Sequence, residues 1–206
     1  MVRRFHISTE FAFLFSGVLI VVMVWGANLL GRLAGETSSG HGGDELYLWL
    51  ILMFQGLAFS TVGAVYENYR ELMANPILTK RYLVGYLLIA DGALHLLALN
   101  QHLGEFFPTL FFAVVAPAQI LLGMFYPRLH RGLDSAWLLF TAFLIASFAV
   151  TRTFAVWPIG VVDAVDPLGI ISKLVELLTV WLLISLVRAA RAETRNRQQG
   201  SPAQGP

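Results

Sequence analysis

The sequence predicts an all-α, polytopic integral membrane bundle of six transmembrane helices with both termini cytoplasmic. Three observations predict it. Hydrophobic residues make up 57% of the 206 residues and charged ones only 13%, against about 25% charged in a typical soluble domain. The apolar residues are gathered into six runs, 11–30, 46–66, 82–101, 108–126, 136–157 and 168–187, each near or above the ~18 residues that a spanning helix needs. The basic residues alternate with these runs. Backbone crossing hydrocarbon must satisfy its own hydrogen bonds, so apolar runs of this length read as helices.

The basic residues set the orientation. Arg3 and Arg4 precede the first run, and Arg70, Lys80 and Arg81 lie between the second and third. Arg128 and Arg131 separate the fourth and fifth, and Arg188, Arg191, Arg195 and Arg197 follow the sixth. That places 11 of the 14 Lys and Arg on one side, with only Arg32 at a helix end on the other. The positive-inside rule makes that side cytoplasmic and locates the chain in the cell membrane. The opposite loops, 35–45, 102–107 and 158–167, carry Glu36, Asp44, Glu45, Glu105, Asp163 and Asp166 with His41 and His102.

The first run is about 20 residues, longer than the 7–15 of a signal-peptide core, and no small-x-small site follows it. It is expected to remain as a span. The second holds Gln55 and can be capped by Asp44; the third can be capped by Thr79. Pro117 should kink the fourth helix and free a carbonyl near Ala113; Gln119 is a further polar group in that span. Asp134 can cap the fifth. Asp166-Pro167 supplies an N-cap and a first-turn proline for the sixth. Residues 1–191 therefore read as the transmembrane domain, and 192–206, rich in Gly, Pro and Gln, as a disordered cytoplasmic tail.

The informative residues are the polar ones inside the runs. Asp91, His95 and His102 fall within about 40° of arc on one helix. Arg152 lies in the fifth run, Lys173 and Glu176 in the sixth. At 1.5 Å per residue, His95, Arg152 and Lys173 share a layer roughly 8–9 Å below the outer surface, Glu176 lies roughly 12 Å down, and Asp91 is near the midplane. Arg152 and Lys173 are long enough to snorkel. Asp91 and Glu176 are not, and each must be protonated, paired or facing water. Gly85, Gly92 and Ala93 would let another helix approach Asp91 closely.

Two readings follow. A structural one pairs Asp91 with Arg152, or Glu176 with Lys173 at i,i+3, to fix helix register. A functional one makes Asp91, His95, Glu176, Lys173 and Arg152 an ion pathway in a small proton-linked ion or solute transporter. The rival class is a structural or assembly subunit of a larger membrane complex, suited by thin loops and aromatic-rich spans. A third class, an intramembrane enzyme whose outer His/Asp/Glu set holds a metal, ranks behind both; the loops leave no room for a soluble catalytic domain.

No cofactor is expected. The chain has no cysteine, which excludes thiolate catalysis, disulfides and Cys-ligated metals. Only the third span holds histidines, so bis-histidine haem is not expected. Lys173 does not suit a retinal Schiff base, with six spans and Gly169 rather than an acid one turn earlier. A divalent metal on the outer face has candidate ligands in His95, His102 and Asp91, although the two histidines are about 10 Å apart along the helix, too far to share an ion directly. The expected partners are the lipid bilayer and other membrane subunits or a second copy of the chain, with no nucleic acid.

Overall fold

Helix boundaries in the computed structural model follow local capping chemistry where the sequence offers it. The structure describes residues 8–34, 44–156 and 167–199. Within them lie six long helices: α1 (Thr9–Leu33), α2 (Asp44–Ala74), α3 (Pro76–Gln101), α4 (Phe106–Phe125), α5 (Leu133–Thr153) and α6 (Pro167–Gln199). A 3-10 turn, Tyr126–Arg128, closes α4. All six helices are long and apolar enough to cross a membrane.

The side chain of Ser8 caps α1, accepting from the Phe11 amide at 3.2 Å. Asn75, not Thr79, caps α3: its Oδ1 accepts from the Leu78 amide at 3.1 Å, and Pro76 occupies the first turn. Thr79 lies inside the helix and donates its hydroxyl to the Leu72 carbonyl at 2.5 Å. Asp134 also falls inside its helix, α5, and makes no cap. Its carboxylate is drawn inward by a cation on α3. α6 begins at Pro167, as expected; Asp166 lies outside the described residues. The sixth helix continues to Gln199, beyond Ala192, where its composition turns polar. Alternating Ala, Arg and Glu are good helix formers, and Glu193 is anchored to Arg131 at 3.1 Å. α4 continues through Pro117 as one helix.

Contacts at the two ends show that successive helices run in opposite directions. At one end the buried Glu10 of α1 accepts from Asn68 on α2 (3.1 Å), Tyr82 on α3 (2.9 Å) and Arg128 after α4 (2.8 Å). At the same end Arg81 of α3 meets Asp134 of α5, and Lys80 donates to Ser185 of α6 at 2.5 Å. At the far end Asn100 of α3 donates to Asn28 of α1 at 2.8 Å.

α3 is the central helix. Its span is 72% buried, against 17% for α5. It packs on α1, α2, α4 and α6, while α5 packs along α6. Glycines set the α3–α4 distance. A Cβ on Gly85 would lie 2.7 Å from the Gly123 carbonyl oxygen, one on Gly123 2.6 Å from that of Gly85, and one on Gly92 2.9 Å from that of Ala116. The small residues expected to admit a neighbour near Asp91 admit α4. The core is apolar, centred on residues such as Val21, Met53, Ile89 and Ile120, with a second cluster around Val84, Tyr126 and Leu183. Large apolar side chains also cover the outside, among them Met23, Leu139, Phe143 and Trp181. An apolar exterior on six helices of this length is compatible with a membrane protein.

Candidate functional site

Burying α3 on nearly all sides carries its polar residues into the bundle. Asp91 and His95, one turn apart, are 2% and 5% exposed, and Glu176 of α6 is 0% exposed. They form a single constellation with Gln119 of α4 and Ser172 of α6.

The hydrogen bonds fix its polarity. Gln119 donates from Nε2 to Asp91 Oδ2 at 2.6 Å, and its Oε1 meets His95 Nδ1 at 2.7 Å. An amide that gives its NH2 group to a carboxylate can offer only its oxygen to the ring, so Nδ1 carries a proton. This assignment comes from the hydrogen-bond chain, as tautomers generally do. Asp91 Oδ1 accepts from Ser172 Oγ at 2.8 Å, and Ser172 also lies 3.4 Å from Glu176 Oε1. Lys173 pairs with that same Oε1. His95 Nε2 faces it at 3.8 Å, beyond hydrogen-bond reach. Oε2 of Glu176 is buried without a hydrogen-bond partner.

Phe148 of α5 forms the outer wall. The Arg152 guanidinium lies 3.5 Å over its ring and Lys173 Nζ 5.1 Å from it. One ring thus brings the two cations near each other. Phe112 of α4 forms another wall, its ring centroid 5.4 Å from that of His95 and 5.6 Å from that of His102.

No family model, curated protein or solved structure matches this chain. What can be said of function rests on the residues themselves.

Of the residues singled out in the sequence, Asp91, His95 and Glu176 come together, with ligand-capable atoms all within 4.8 Å of one another. Lys173 joins through Glu176 and Arg152 through Phe148. Asp91 is held by two neutral donors, Gln119 and Ser172, rather than by the expected arginine. His102 stands apart at the end of α3, partly exposed and 3.1 Å from Glu105; Glu176 takes the place it had beside Asp91 and His95. His41 lies outside the described residues. Sequence reasoning gave Gln119 no partner and missed Ser172. The available signal was Gln119 itself, an amide in the middle of an apolar run.

A second buried polar group lies near the Glu10 end. Arg81, counted above among the loop cations, is only 4% exposed. It donates to Asp134 Oδ1 and Oδ2 (2.7 and 3.0 Å) and to the carbonyls of Tyr126 and Leu129 (2.9 and 2.6 Å). The Tyr126 hydroxyl donates to Asp134 Oδ1 at 2.7 Å. Every buried side-chain polar atom of Arg81, Asp134 and Tyr126 has a partner.

Proposed function

We propose that this chain is a small multi-pass transporter of the cell membrane, with both termini cytoplasmic, that moves a proton-linked ion or solute. The observation that carries the reading is the meeting of two buried carboxylates, an imidazole and an ammonium where α3 packs on α6, beside α4. Ionisable groups at such depth are costly and mark ion pathways. Asp91 and Glu176 are the coupling carboxylates, His95 the relay, and Lys173 and Arg152 the charge balance. Gln119 and Ser172 hold the carboxylates and the ring in place.

Proteoliposomes containing the purified chain and an internal pH dye test this under imposed proton and cation gradients. Asp91→Asn and Glu176→Gln, confirmed as folded, are expected to abolish the flux. Unchanged flux in both variants would remove the coupling role. Reporter fusions at the two termini test the orientation.

One observation favours a second reading, that of a subunit in a larger membrane assembly. α5 packs along α6 and leaves Leu139 and Phe143 outward, a face another subunit would cover as well as lipid does. Stoichiometric co-purification of other subunits in mild detergent is its expected signature, and a lone monomer or homodimer would count against it.

A further inference from the structure

We infer that Asp91, His95 and Glu176 form a binding site for a first-row divalent transition-metal ion of the zinc class, and that Lys173 occupies it as a tethered competing cation. The inference rests on the reading of this cluster as an ion site and gives the ion a chemical class.

The ligand set comes first. His95 contributes a ring nitrogen and the two carboxylates an oxygen each, all within 4.8 Å. A tetrahedral ion with bonds of about 2.0–2.2 Å needs ligand atoms about 3.3–3.6 Å apart, so the side chains must close by no more than about 1.5 Å. Mixed imidazole and carboxylate ligands suit borderline ions such as zinc, manganese or iron(II). The site has no thioether or thiolate to select copper(I), and too few oxygens to satisfy calcium.

The orientation of the imidazole is the second observation. Gln119 Oε1 holds the Nδ1 proton, and Nε2, the nitrogen left for a ligand, lies 3.8 Å from Glu176. Metal-binding histidines are commonly held this way, with the distal nitrogen hydrogen-bonded to an oxygen acceptor. Gln119 is oriented in turn by Asp91, so one amide aligns two ligands.

The third observation is independent of the geometry. Glu176 is fully buried, yet its Oε2 has no hydrogen-bond partner. A buried carboxylate with an orphaned oxygen lacks part of the positive charge that would satisfy it. Lys173 supplies some of it through Oε1. Its side chain is 16% exposed and its four-carbon stem is flexible. Lys173 can thus withdraw when an ion arrives.

The test is equilibrium dialysis of the full chain in detergent or nanodiscs against Zn²⁺, followed by elemental analysis. One zinc per chain is expected, with Ca²⁺ failing to compete. Gln119→Leu should weaken binding by about 10–100-fold, and His95→Ala by more. Lys173→Met should tighten it: if the lysine is seated in nine molecules of ten, the gain is about tenfold. That variant alters a partly exposed residue and opposes the others in sign, so general unfolding cannot imitate it. Absence of stoichiometric zinc, or weaker binding in Lys173→Met, overturns the inference. Proton flux in chelator-treated proteoliposomes separates the two proposals. Asp91-dependent flux in a chain that binds no zinc sinks the metal site and keeps the transporter. Zinc bound by a chain whose fluxes ignore Asp91→Asn upholds the site and sinks the transporter.

Discussion

Gln119 and Gln55 are the same residue type in two apolar helices, and the same substitution should move them in opposite directions. Gln119 is 1% exposed and makes two hydrogen bonds inside the bundle. Gln55 is exposed on the outside of α2. Leucine at 119 orphans two buried groups, the Nδ1–H of His95 and one lone pair of Asp91 Oδ2. An orphaned buried partner costs about 1–3 kcal/mol, so the loss is about 2–6 kcal/mol in total. Removing the amide's own desolvation returns about 1–3 kcal/mol. The expected net loss is therefore about 1–3 kcal/mol, or roughly 2–12 °C in Tm for a chain of this size. Gln55→Leu exchanges an outward amide for an apolar side chain and should be neutral or stabilising. Thermal unfolding of both variants in one detergent measures the difference. Nitrogen-15 NMR of the His95 ring reads the same network without unfolding it: the Nδ1–H tautomer of the wild type should lose its dominance in Gln119→Leu. Equal Tm shifts for the two variants, or an unchanged ring, would refute the chain Asp91–Gln119–His95.

Three further outcomes test the packing and polar layers. Asp134→Ala leaves the buried guanidinium of Arg81 without its counter-ion and should cost about 3–5 kcal/mol in chemical unfolding, while adding Arg81→Met should recover much of it; equal losses in the single and double variants would refute a pair. Gly123→Ala places a Cβ 2.6 Å from the Gly85 carbonyl oxygen and 3.0 Å from the Ile89 amide nitrogen, so overpacking should cost about 1–3 kcal/mol, and a stabilised variant would refute the close α3–α4 contact. Glu10 is buried while Arg128 is 48% exposed; Glu10→Ala should cost about 1.5–3 kcal/mol and Arg128→Ala under about 1 kcal/mol, an order that reversal in a Tm series would disprove.

The six long apolar helices were legible because charges are so nearly absent from their runs, as a hydrocarbon core would require. The helix starts were less so. Asn75-Pro76 carries the same signal as Asp166-Pro167, and Thr79 drew attention from it by sitting nearer the apolar run. Asp134 was misread because a carboxylate in a first turn can cap its helix or leave it for a cation. The deciding residue, Arg81, is 53 positions away. At the site, Asp91, His95 and Glu176 stood out by their cost. Ser172 did not, since a helical serine can bond its own backbone and needs no partner. The seat of Arg152 over Phe148, one turn earlier on the same face, was there to be read.

The contrast between the two buried layers bears on whether the middle one is structural. A network retained only to fix register is stable when every member is satisfied, because a half-satisfied network is worse than an apolar core. Arg81, Asp134 and Tyr126 meet that standard: the guanidinium reaches four acceptor atoms and no buried polar atom is left over. The Asp91–His95–Glu176 layer does not. It holds two carboxylates, one touching ammonium, an imidazole nitrogen 3.8 Å from a carboxylate, and the orphaned Oε2. The same chain builds a complete network ten residues from an incomplete one on the same helix. A purely architectural origin accounts for the first and gives no reason for the second. A site that accepts and releases a cation needs such a deficit, because a fully satisfied cluster would have nothing to bind it with.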